Sequence, residues 1–326
     1  MLVDVMIPAF NAARTIGRAV ASALAQREVA SVIIVDDCSA DGTAEAALAA
    51  ADGDKRLRLV RFERNRGPAA ARNHAMGLGE APLIAMLDSD DWLLPERFGT
   101  LLAGPPDWDF VADNILFIPE AFEDQPLPDA MLAGLADRRR PLRLAEFIDR
   151  NISRGGRNRG ELGFLKPMFR REVLGLLDLR YAEDVRLGED FVLYAKAMAR
   201  GARFMLSHRC GYIAIERAGS LSGRHRTADL EALHTASLAL AREEGVSAGE
   251  AGLLASHAAS IARKIAHRRF LDRKQSGGLG KAITGLGMKP SALAGVVADV
   301  WKDKRKALRP PGPVDLRFLL SADDFS

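Results

Sequence analysis

Three carboxylates in four residues, Asp88, Asp90 and Asp91, follow directly after the apolar run Leu83 to Leu87. So much negative charge at the end of a strand is costly unless a cation neutralises it. Mg²⁺ and Mn²⁺ bind one or two carboxylates together with phosphate oxygens. The cluster therefore predicts a divalent metal ion that holds a diphosphate. The alternative is a solvated acidic turn before Trp92.

A second acidic motif, the pair Asp36 and Asp37, directly follows the apolar run Ser31 to Val35. A carboxylate here would suit the N–H group of a nucleobase, or it would only form a turn and cap the next helix. The first apolar run ends in Pro8-Ala9-Phe10-Asn11 and lacks the G-x-G-x-x-G glycines that bind a dinucleotide pyrophosphate. This absence argues against a nicotinamide or flavin enzyme.

Short β-branched runs alternate with alanine-rich helical stretches through the first half of the chain, which predicts a parallel sheet covered by helices. The predicted strands are Val3 to Ile7, Ser31 to Val35, Leu57 to Arg61, Leu83 to Leu87 and Phe110 to Phe117. The predicted helices are Ala13 to Gln26, Thr43 to Ala51, Pro68 to Gly77 and one that begins near Pro95. In such a sheet the ligand lies beyond the carboxyl ends of the strands, where the acidic residues fall.

The second half is less regular. Residues 120 to 163 are rich in Pro, Gly and Arg, including Arg154 to Gly160, and predict a mobile insertion. Regular structure resumes with a helix at Glu189 to Arg200, strands near Arg203 to Leu206 and Gly211 to Glu216, and helices at Thr227 to Glu244 and Ser247 to Leu271. A Gly-rich linker at 275 to 290 and an amphipathic segment at Ser291 to Leu308 complete the prediction.

Composition is that of an ordinary globular protein, with 48% hydrophobic and 27% charged residues in 326. The two cysteines, Cys38 and Cys210, have no metal-binding or disulfide spacing and fit a reducing compartment. No signal peptide or membrane-spanning run is recognisable. We therefore expect a cytoplasmic protein, either soluble or peripheral at the inner face of the cytoplasmic membrane.

The basic residues are concentrated near the end of the chain, with thirteen Lys and Arg against three Asp between residues 260 and 309. Cations beside apolar residues such as Val300 and Trp301 suit an anionic lipid surface. A solvated helix face or a dimer contact is the alternative. No nucleic-acid-binding motif accompanies the charge, so nucleic acid is not expected as a partner. The oligomeric state is not predicted.

The motifs in this order resemble those of the family 2 inverting glycosyltransferases, which have the GT-A fold. The resemblance covers residues 1 to about 225 and rests on five motifs: Pro8 to Asn11, Val35 to Ser39, Asn65 to Pro68, Ala71 to Asn73 and Asp88 to Asp91. It implies an α/β fold with a Rossmann-like, mostly parallel central sheet flanked by helices. The predicted domains are the catalytic domain at 1–225, a C-terminal helical extension at 226–274, and a linker with a basic tail at 275–326.

The resemblance also implies roles for individual residues. Donor-binding residues would be Pro8, Ala9, Phe10, Asn11, Asp37, Arg72, Asp88 and Ser89. Asp37 would accept from the uracil ring, Arg72 would reach the base or phosphate, and Asp88 would bind the ribose. Asp90, with Asp91 nearby, would hold Mg²⁺ or Mn²⁺ on the diphosphate.

The family places its catalytic base in a Glu-Asp pair, which here is Glu189-Asp190 at the start of a helix. Asp190 would be the base and Glu189 its neighbour, although acidic residues also favour a helix first turn because of the helix dipole. Arg217 stands where many relatives have a histidine, and it would pair with the diphosphate or lie on the surface. Lys166 would face the acceptor or be an ordinary solvated lysine.

Three short motifs resemble those of bacterial exopolysaccharide glucosyltransferases of the succinoglycan-assembly type. They are Asp113-Asn114, Gly163 to Pro167 and the Gly-Glu-Asp start of a helix. The implied reaction moves a hexose from a nucleotide sugar such as UDP-glucose to a saccharide or lipid-linked saccharide, with inversion. Two other classes stay open: a non-catalytic nucleotide-sugar-binding scaffold subunit, and a nucleotidyltransferase. The latter usually has a glycine-rich phosphate loop after its first strand, which is missing here.

Overall fold

The structure is a computed structural model that describes residues 1–127, 132, 135–152, 161–217, 226–284 and 316–325. Its first half alternates strands and helices, and every element predicted there is present. These elements are β1 (Val3–Ala9), α1 (Ile16–Leu24), β2 (Val29–Asp36), α2 (Thr43–Ala51), β3 (Leu57–Arg61), α3 (Pro68–Leu78) and β4 (Leu83–Met86).

The burial pattern explains why these segments fold as they do. Helix α1 buries Ile16, Ala19, Val20 and Ala23, which recur at helical spacing and form one apolar face. Strand β2 is buried along almost its whole length. A strand covered by helices on both faces needs apolar residues at successive positions, which is why its sequence is a continuous apolar run.

The second half adds more strands to the same sheet. Its elements are β5 (Trp92–Leu93), α4 (Arg97–Leu102), β6 (Phe110–Pro119), β7 (Arg139–Leu142), α5 (Leu144–Asn151), β8 (Met168–Arg170), α6 (Arg171–Leu176), α7 (Glu189–Ala199), β9 (Phe204–Glu216), α8 (Thr227–Leu240), α9 (Ala248–Thr284) and β10 (Arg317–Phe318). The sheet order is β3-β2-β1-β4-β8-β6-β9-β5, with β10 on β6 and β7 on β9.

This architecture confirms the predicted α/β class, a central sheet flanked by helices. Strands β1 to β4 pair only in parallel with one another. Beyond β4 the sheet is mixed, because β8 is antiparallel to both β4 and β6 while β6 and β9 are parallel. The carboxyl ends of β1, β2 and β4 therefore lie along one edge of the sheet, which is the geometry the acidic motifs require.

Two predictions for the second half are wrong in detail. The strands expected near Arg203 to Leu206 and Gly211 to Glu216 are one strand, β9, whose register with β6 shifts between Ala112 and Ile115. The expected mobile insertion contains β7 and α5, and α5 packs Leu144, Phe147 and Ile148 into the core. Three buried apolar residues in a helix of eight form too short a pattern to recognise in the sequence. Residues 154 to 160 lie outside the described part of the chain.

The end of the chain also differs from prediction. Helix α9 continues to Thr284, through the first part of the expected linker. Residues 316–325, assigned to the tail, return to the sheet, where β10 pairs with β6 and both main-chain polar groups of Leu320 bond to the Asn114 side chain at 2.8 Å. The amphipathic segment at 291 to 308 lies outside the described residues. No helix in the described ranges has the length and apolar character to span a membrane.

Candidate active site

The loop after β1 and the loop after β2 interlock at the sheet edge. The main-chain N–H of Asn11 donates to Ser39 Oγ at 2.9 Å, and Ala40 N–H donates to Asn11 Oδ1 at 2.8 Å. Asn11 has a φ of 50°, a left-handed conformation that asparagine tolerates better than most residues. Pro8 and Ala9 are the last residues of β1, and Phe10, which follows them, is 49% exposed.

Asp37 is buried at the end of β2 and holds the loop that leads into α3. Its two carboxylate oxygens accept hydrogen bonds from the main-chain N–H groups of Arg66 at 2.6 Å and Gly67 at 2.7 Å. Gly67 has a φ of 93°, which favours glycine, so the loop conformation and the carboxylate are matched. A carboxylate has about four lone-pair positions, so Asp37 keeps acceptor capacity for a base N–H.

Asp88, at the end of β4, lies between two cations. Arg72 Nη2 is 3.0 Å from its Oδ1 and Lys166 Nζ is 2.9 Å from its Oδ2. Burial opposes ionisation of this carboxyl, but the two cations lower its pKa to about 2. Its main-chain N–H donates to the Tyr212 hydroxyl at 3.1 Å. Ser89, the next residue, is half-buried.

Asp90 has a different environment, because its carboxylate is 38% exposed and its nearest cation, Arg217, is 3.5 Å away. Burial and the charge of Asp88 raise the pKa of Asp90. A partly exposed carboxylate in a field of like charge is the group that gains most from a cation. Within the described residues, no three His, Cys, Asp or Glu side chains converge to hold a metal on their own. Mg²⁺ sites often use one or two carboxylates plus phosphate oxygens, so Asp90 fits such an ion.

Asp91 faces away from this group. Its carboxylate is buried and accepts from the Tyr212 hydroxyl at 2.8 Å and from Ile215 N–H at 2.9 Å. Burial raises its pKa well above the usual value. Both oxygens are thus used to join the turn after β4 to β9. The structure separates Asp91 from the predicted metal ligand Asp90 and gives it a supporting position.

The predicted catalytic base Asp190 and its neighbour Glu189 open α7, where Arg72 and Lys166 join them to Asp88, which follows β4. Lys166 Nζ is 2.7 Å from Asp190 Oδ2, and Arg72 Nη2 is 3.9 Å from the same oxygen. Arg72 also forms an ion pair with Glu189. Burial raises the pKa of Glu189 despite that pair. Residues more than one hundred positions apart in sequence therefore form one buried cluster.

Two basic residues of the predicted site, Arg72 and Lys166, are buried. Lys166 is only 7% exposed, so the expectation of a solvated lysine is wrong. Arg72 is 4% exposed and contacts the carboxylates of Asp88, Glu189 and Asp190, so it acts as their counter-ion; its contact with the donor stays a prediction.

Arg217 lies beside the acidic motif, 3.5 Å from Asp90, and is not a free surface arginine. It forms ion pairs with Glu120 and Glu123 in addition to Asp90. Glu123 also pairs with Arg14, at 2.6 Å, and Arg18, at 3.4 Å. The guanidinium of Arg217 is thereby held beside Asp90.

Several supporting residues were not found from the sequence. Arg97 is fully buried, forms a bidentate pair with Asp113 and donates to the Lys166 carbonyl oxygen at 2.6 Å. All three tyrosines of the chain support the cluster: Tyr212 bonds Asp91, and Tyr181 and Tyr194 are buried near Asp190. A motif search cannot find such residues, because no local pattern marks them.

Comparison with known proteins places this geometry in context. The profile described as Glycosyl transferase family 2 matches residues 4–155. The chain is 46% identical over 331 residues to succinoglycan biosynthesis protein ExoU of Rhizobium meliloti (strain 1021), covering 98% of this chain and 95% of that protein. It is 37% identical to succinoglycan biosynthesis protein ExoO of the same organism, covering 82% and 72%.

Solved structures share the fold at low sequence identity. Residues 1–349 of S. aureus TarS in complex with UDP-GlcNAc superpose with a TM-score of 0.60 at 19% identity, covering 91% of this chain and 79% of that one. The mannosyltransferase PcManGT from Pyrobaculum calidifontis, in complex with GDP-Man and Mn²⁺, gives 0.52 at 20% identity, covering 95% and 81%. The sheet described above is therefore the GT-A fold.

Proposed function

The chain belongs to glycosyl transferase family 2, and from that premise we propose that it transfers a hexose from a nucleotide sugar, UDP-glucose or a close analogue, to a saccharide acceptor with inversion. The observation that carries the proposal is the buried cluster in which Arg72 and Lys166 join Asp88 to Asp190. It brings the donor-side carboxylate at the end of β4 next to the acid pair of α7.

The donor would lie along the edge formed by the ends of β1, β2 and β4. Phe10 would stack on the base, Asp37 would accept its N–H, and Pro8 and Ala9 at the end of β1 would line the nucleoside pocket with Asn11 in the loop that follows. Asp88 and Ser89 would bind the ribose. Arg217, held beside Asp90, would contact the diphosphate, because a guanidinium forms strong charge-assisted hydrogen bonds to phosphate oxygens.

Mg²⁺ or Mn²⁺ would be held by Asp90 together with the donor phosphates. When bound, such an ion supplies charge stabilisation for the departing nucleoside diphosphate. Asp91 would act through the main chain, since its bonds to Tyr212 and Ile215 set the position of the turn that carries Asp90.

Asp190 would take the proton from the attacking hydroxyl of the acceptor. The acceptor oxygen then forms its bond to the anomeric carbon while the bond to the diphosphate oxygen breaks, so the configuration inverts in one step. Glu189 would stay on the acceptor side of Asp190, and its pair with Arg72 limits how far the start of α7 can move.

The acceptor we propose is a lipid-linked oligosaccharide in exopolysaccharide assembly. Similarity to the two succinoglycan biosynthesis proteins supports that setting. Exposed positions of α9 carry Arg263, Lys264, Arg268, Arg269 and Arg273, and this basic charge suits contact with an anionic membrane surface. Charge reversal at Arg263 and Lys264 should reduce co-sedimentation with phosphatidylglycerol vesicles, and unchanged binding would remove this support.

A donor screen tests the reaction itself. UDP and GDP release is measured from a set of nucleotide sugars with Mn²⁺ or Mg²⁺, alone and with a lipid extract of bacterial membranes. We expect release that needs the metal and rises with the extract. Release from no nucleotide sugar under any of these conditions would contradict the proposed function.

A further inference from the structure

Lys166 lies buried between two carboxylates that come from different parts of the chain. Its ammonium is 2.7 Å from Asp190 Oδ2 and 2.9 Å from Asp88 Oδ2. One side chain thus bridges the acid that ends β4 and the acid in the first turn of α7. Both carboxylates raise the pKa of Lys166 although burial alone would lower it, so the bridge is charged.

The main chain of Lys166 is fixed as firmly as its ammonium. Arg97 Nη2 donates to the Lys166 carbonyl oxygen at 2.6 Å, and Arg97 is itself paired with buried Asp113. Arg97 is 2% exposed and Asp113 3%. A shift of the Lys166 main chain would break this buried hydrogen bond, so the position of the main chain that carries the lysine is part of the fold.

The cluster contains more negative than positive charge. Arg72 and Lys166 serve three carboxylates: Asp88, Glu189 and Asp190. Tyr181 and Tyr194 also face Asp190, and burial raises the pKa of both phenols, which keeps them neutral. Buried carboxylates that lack enough cations bind protons instead.

The distances show which carboxylate depends most on Lys166. Asp88 keeps Arg72 at 3.0 Å, and Glu189 keeps its own pair with Arg72. Asp190 has Lys166 at 2.7 Å but Arg72 only at 3.9 Å. Removal of the lysine charge would therefore affect Asp190 more than Asp88 or Glu189, because Asp190 would lose its nearest counter-ion.

We propose that Lys166 is a positioning residue whose ammonium is the counter-ion of Asp190 and holds that carboxylate at a fixed place relative to Asp88. The inference rests on the proposed function, in which Asp190 is the base and Asp88 lies on the donor side. A buried carboxylate needs a counter-ion, and the ammonium of Lys166 is the nearer of the two cations that contact Asp190. The bridge also ties the position of the base to the donor-side carboxylate.

The test compares Lys166→Met, Lys166→Gln and Lys166→Arg with the unchanged protein. UDP release from UDP-glucose with a bacterial membrane-lipid extract is followed from about pH 5 to about pH 9. For Met and Gln we expect the acid limb of kcat/KM to move up by about one pH unit or more, which is a tenfold loss on that limb with recovery at high pH. In Lys166→Arg the acid limb of the kcat/KM profile should stay at the pH of the unchanged protein, because the positive charge is kept.

Lys55→Met, at an exposed position, is the matched control and should behave as the unchanged protein. UDP binding and melting temperature show whether each variant is folded. If Lys166→Met does not fold, Lys166→Gln is used in its place. A loss that is the same at every pH, or no loss, would overturn the inference. Asp190→Asn separates the two claims. If Asp190→Asn stays active, the proposed base is wrong. If Asp190→Asn is inactive but the acid limb of kcat/KM does not move in Lys166→Met, only the role of Lys166 is contradicted.

Discussion

At the scale of single residues, the acids at the strand ends divide into distinct tasks. Asp88 is paired with two cations, Asp91 is bonded to β9, and Asp90 is left with one distant arginine. The sequence places all three in one motif and cannot tell them apart, because the difference depends on partners outside the motif, from Arg72 to Arg217. The motif was predictable, and the division of its tasks was not.

Asp90→Asn should abolish the part of donor affinity that depends on metal. Binding of UDP is measured by calorimetry with and without Mn²⁺, and we expect the gain from Mn²⁺ to fall by about tenfold or more, since a carboxylate ligand is lost. Asp124→Asn is the control, because that side chain is 95% exposed. An Mn²⁺ effect in Asp90→Asn equal to that of the unchanged protein would contradict the assignment.

At the scale of elements, the start of α7 depends on a glycine. Gly188 has a φ of 72°, and a Cβ there would lie 3.0 Å from Leu233 Cδ1 on α8. This glycine therefore sets both the turn into the helix that carries Asp190 and its distance from α8. The Gly-Glu-Asp motif could be read from the sequence, but its contact with a helix forty residues later could not.

Gly188→Ala should destabilise the protein by about 1–2 kcal/mol or more, because a left-handed conformation is costly for residues with a Cβ. Gly252→Ala is the matched control, for which we expect an effect of the opposite sign. Gly252 lies in α9 with open space around it, so the alanine should raise the free energy of unfolding by roughly 0.5–1 kcal/mol. Urea unfolding of the two variants checks the signs. Equal effects would mean that neither the φ value nor Leu233 constrains the start of α7.

At the scale of the whole molecule, the helical extension is not a separate appendage. His257 of α9 stacks on Phe191 of α7 with ring centroids 4.3 Å apart. Ser237 Oγ donates to the Leu233 carbonyl oxygen at 2.8 Å, so its 3.0 Å contact assigns the proton of the imidazole to Nδ1. The sequence predicts helices α8 and α9 but not their packing on α7. Apolar periodicity indicates that one face of a helix is buried, but it does not identify the element that packs against that face.

This contact predicts a pH-dependent stability. Burial lowers the pKa of His257 to about 4 from a usual 6.5, so the unfolded chain binds the proton more readily than the folded one. Stability is fully present above pH 6.5 and falls as the pH drops towards 4, by about 2–3 kcal/mol. His257→Gln should lose this part of the pH dependence in urea unfolding, while His234→Gln on α8 keeps it. Parallel curves for His257→Gln and the unchanged protein would refute the argument.

The last residues of the chain add a further long-range contact that no local signal announces. Asn114 fixes Leu320 through two hydrogen bonds, and Asp324 pairs with Arg150 at 2.5 Å. Leu319 and Leu320 are buried. The sequence ends in an ordinary polar and apolar mixture, so its return to β6 follows from the sheet edge that β6 offers and not from a pattern in residues 316 to 325.

The central claim is that Asp190 removes the proton from the acceptor while the donor is held by other residues. Transfer and UDP binding in Asp190→Asn test it most directly, with melting temperature to confirm folding. We expect UDP affinity within about threefold of the unchanged protein and a transfer rate lower by roughly a hundredfold or more, the range for loss of a general base. A folded Asp190→Asn protein that transfers sugar at the original rate would contradict the account.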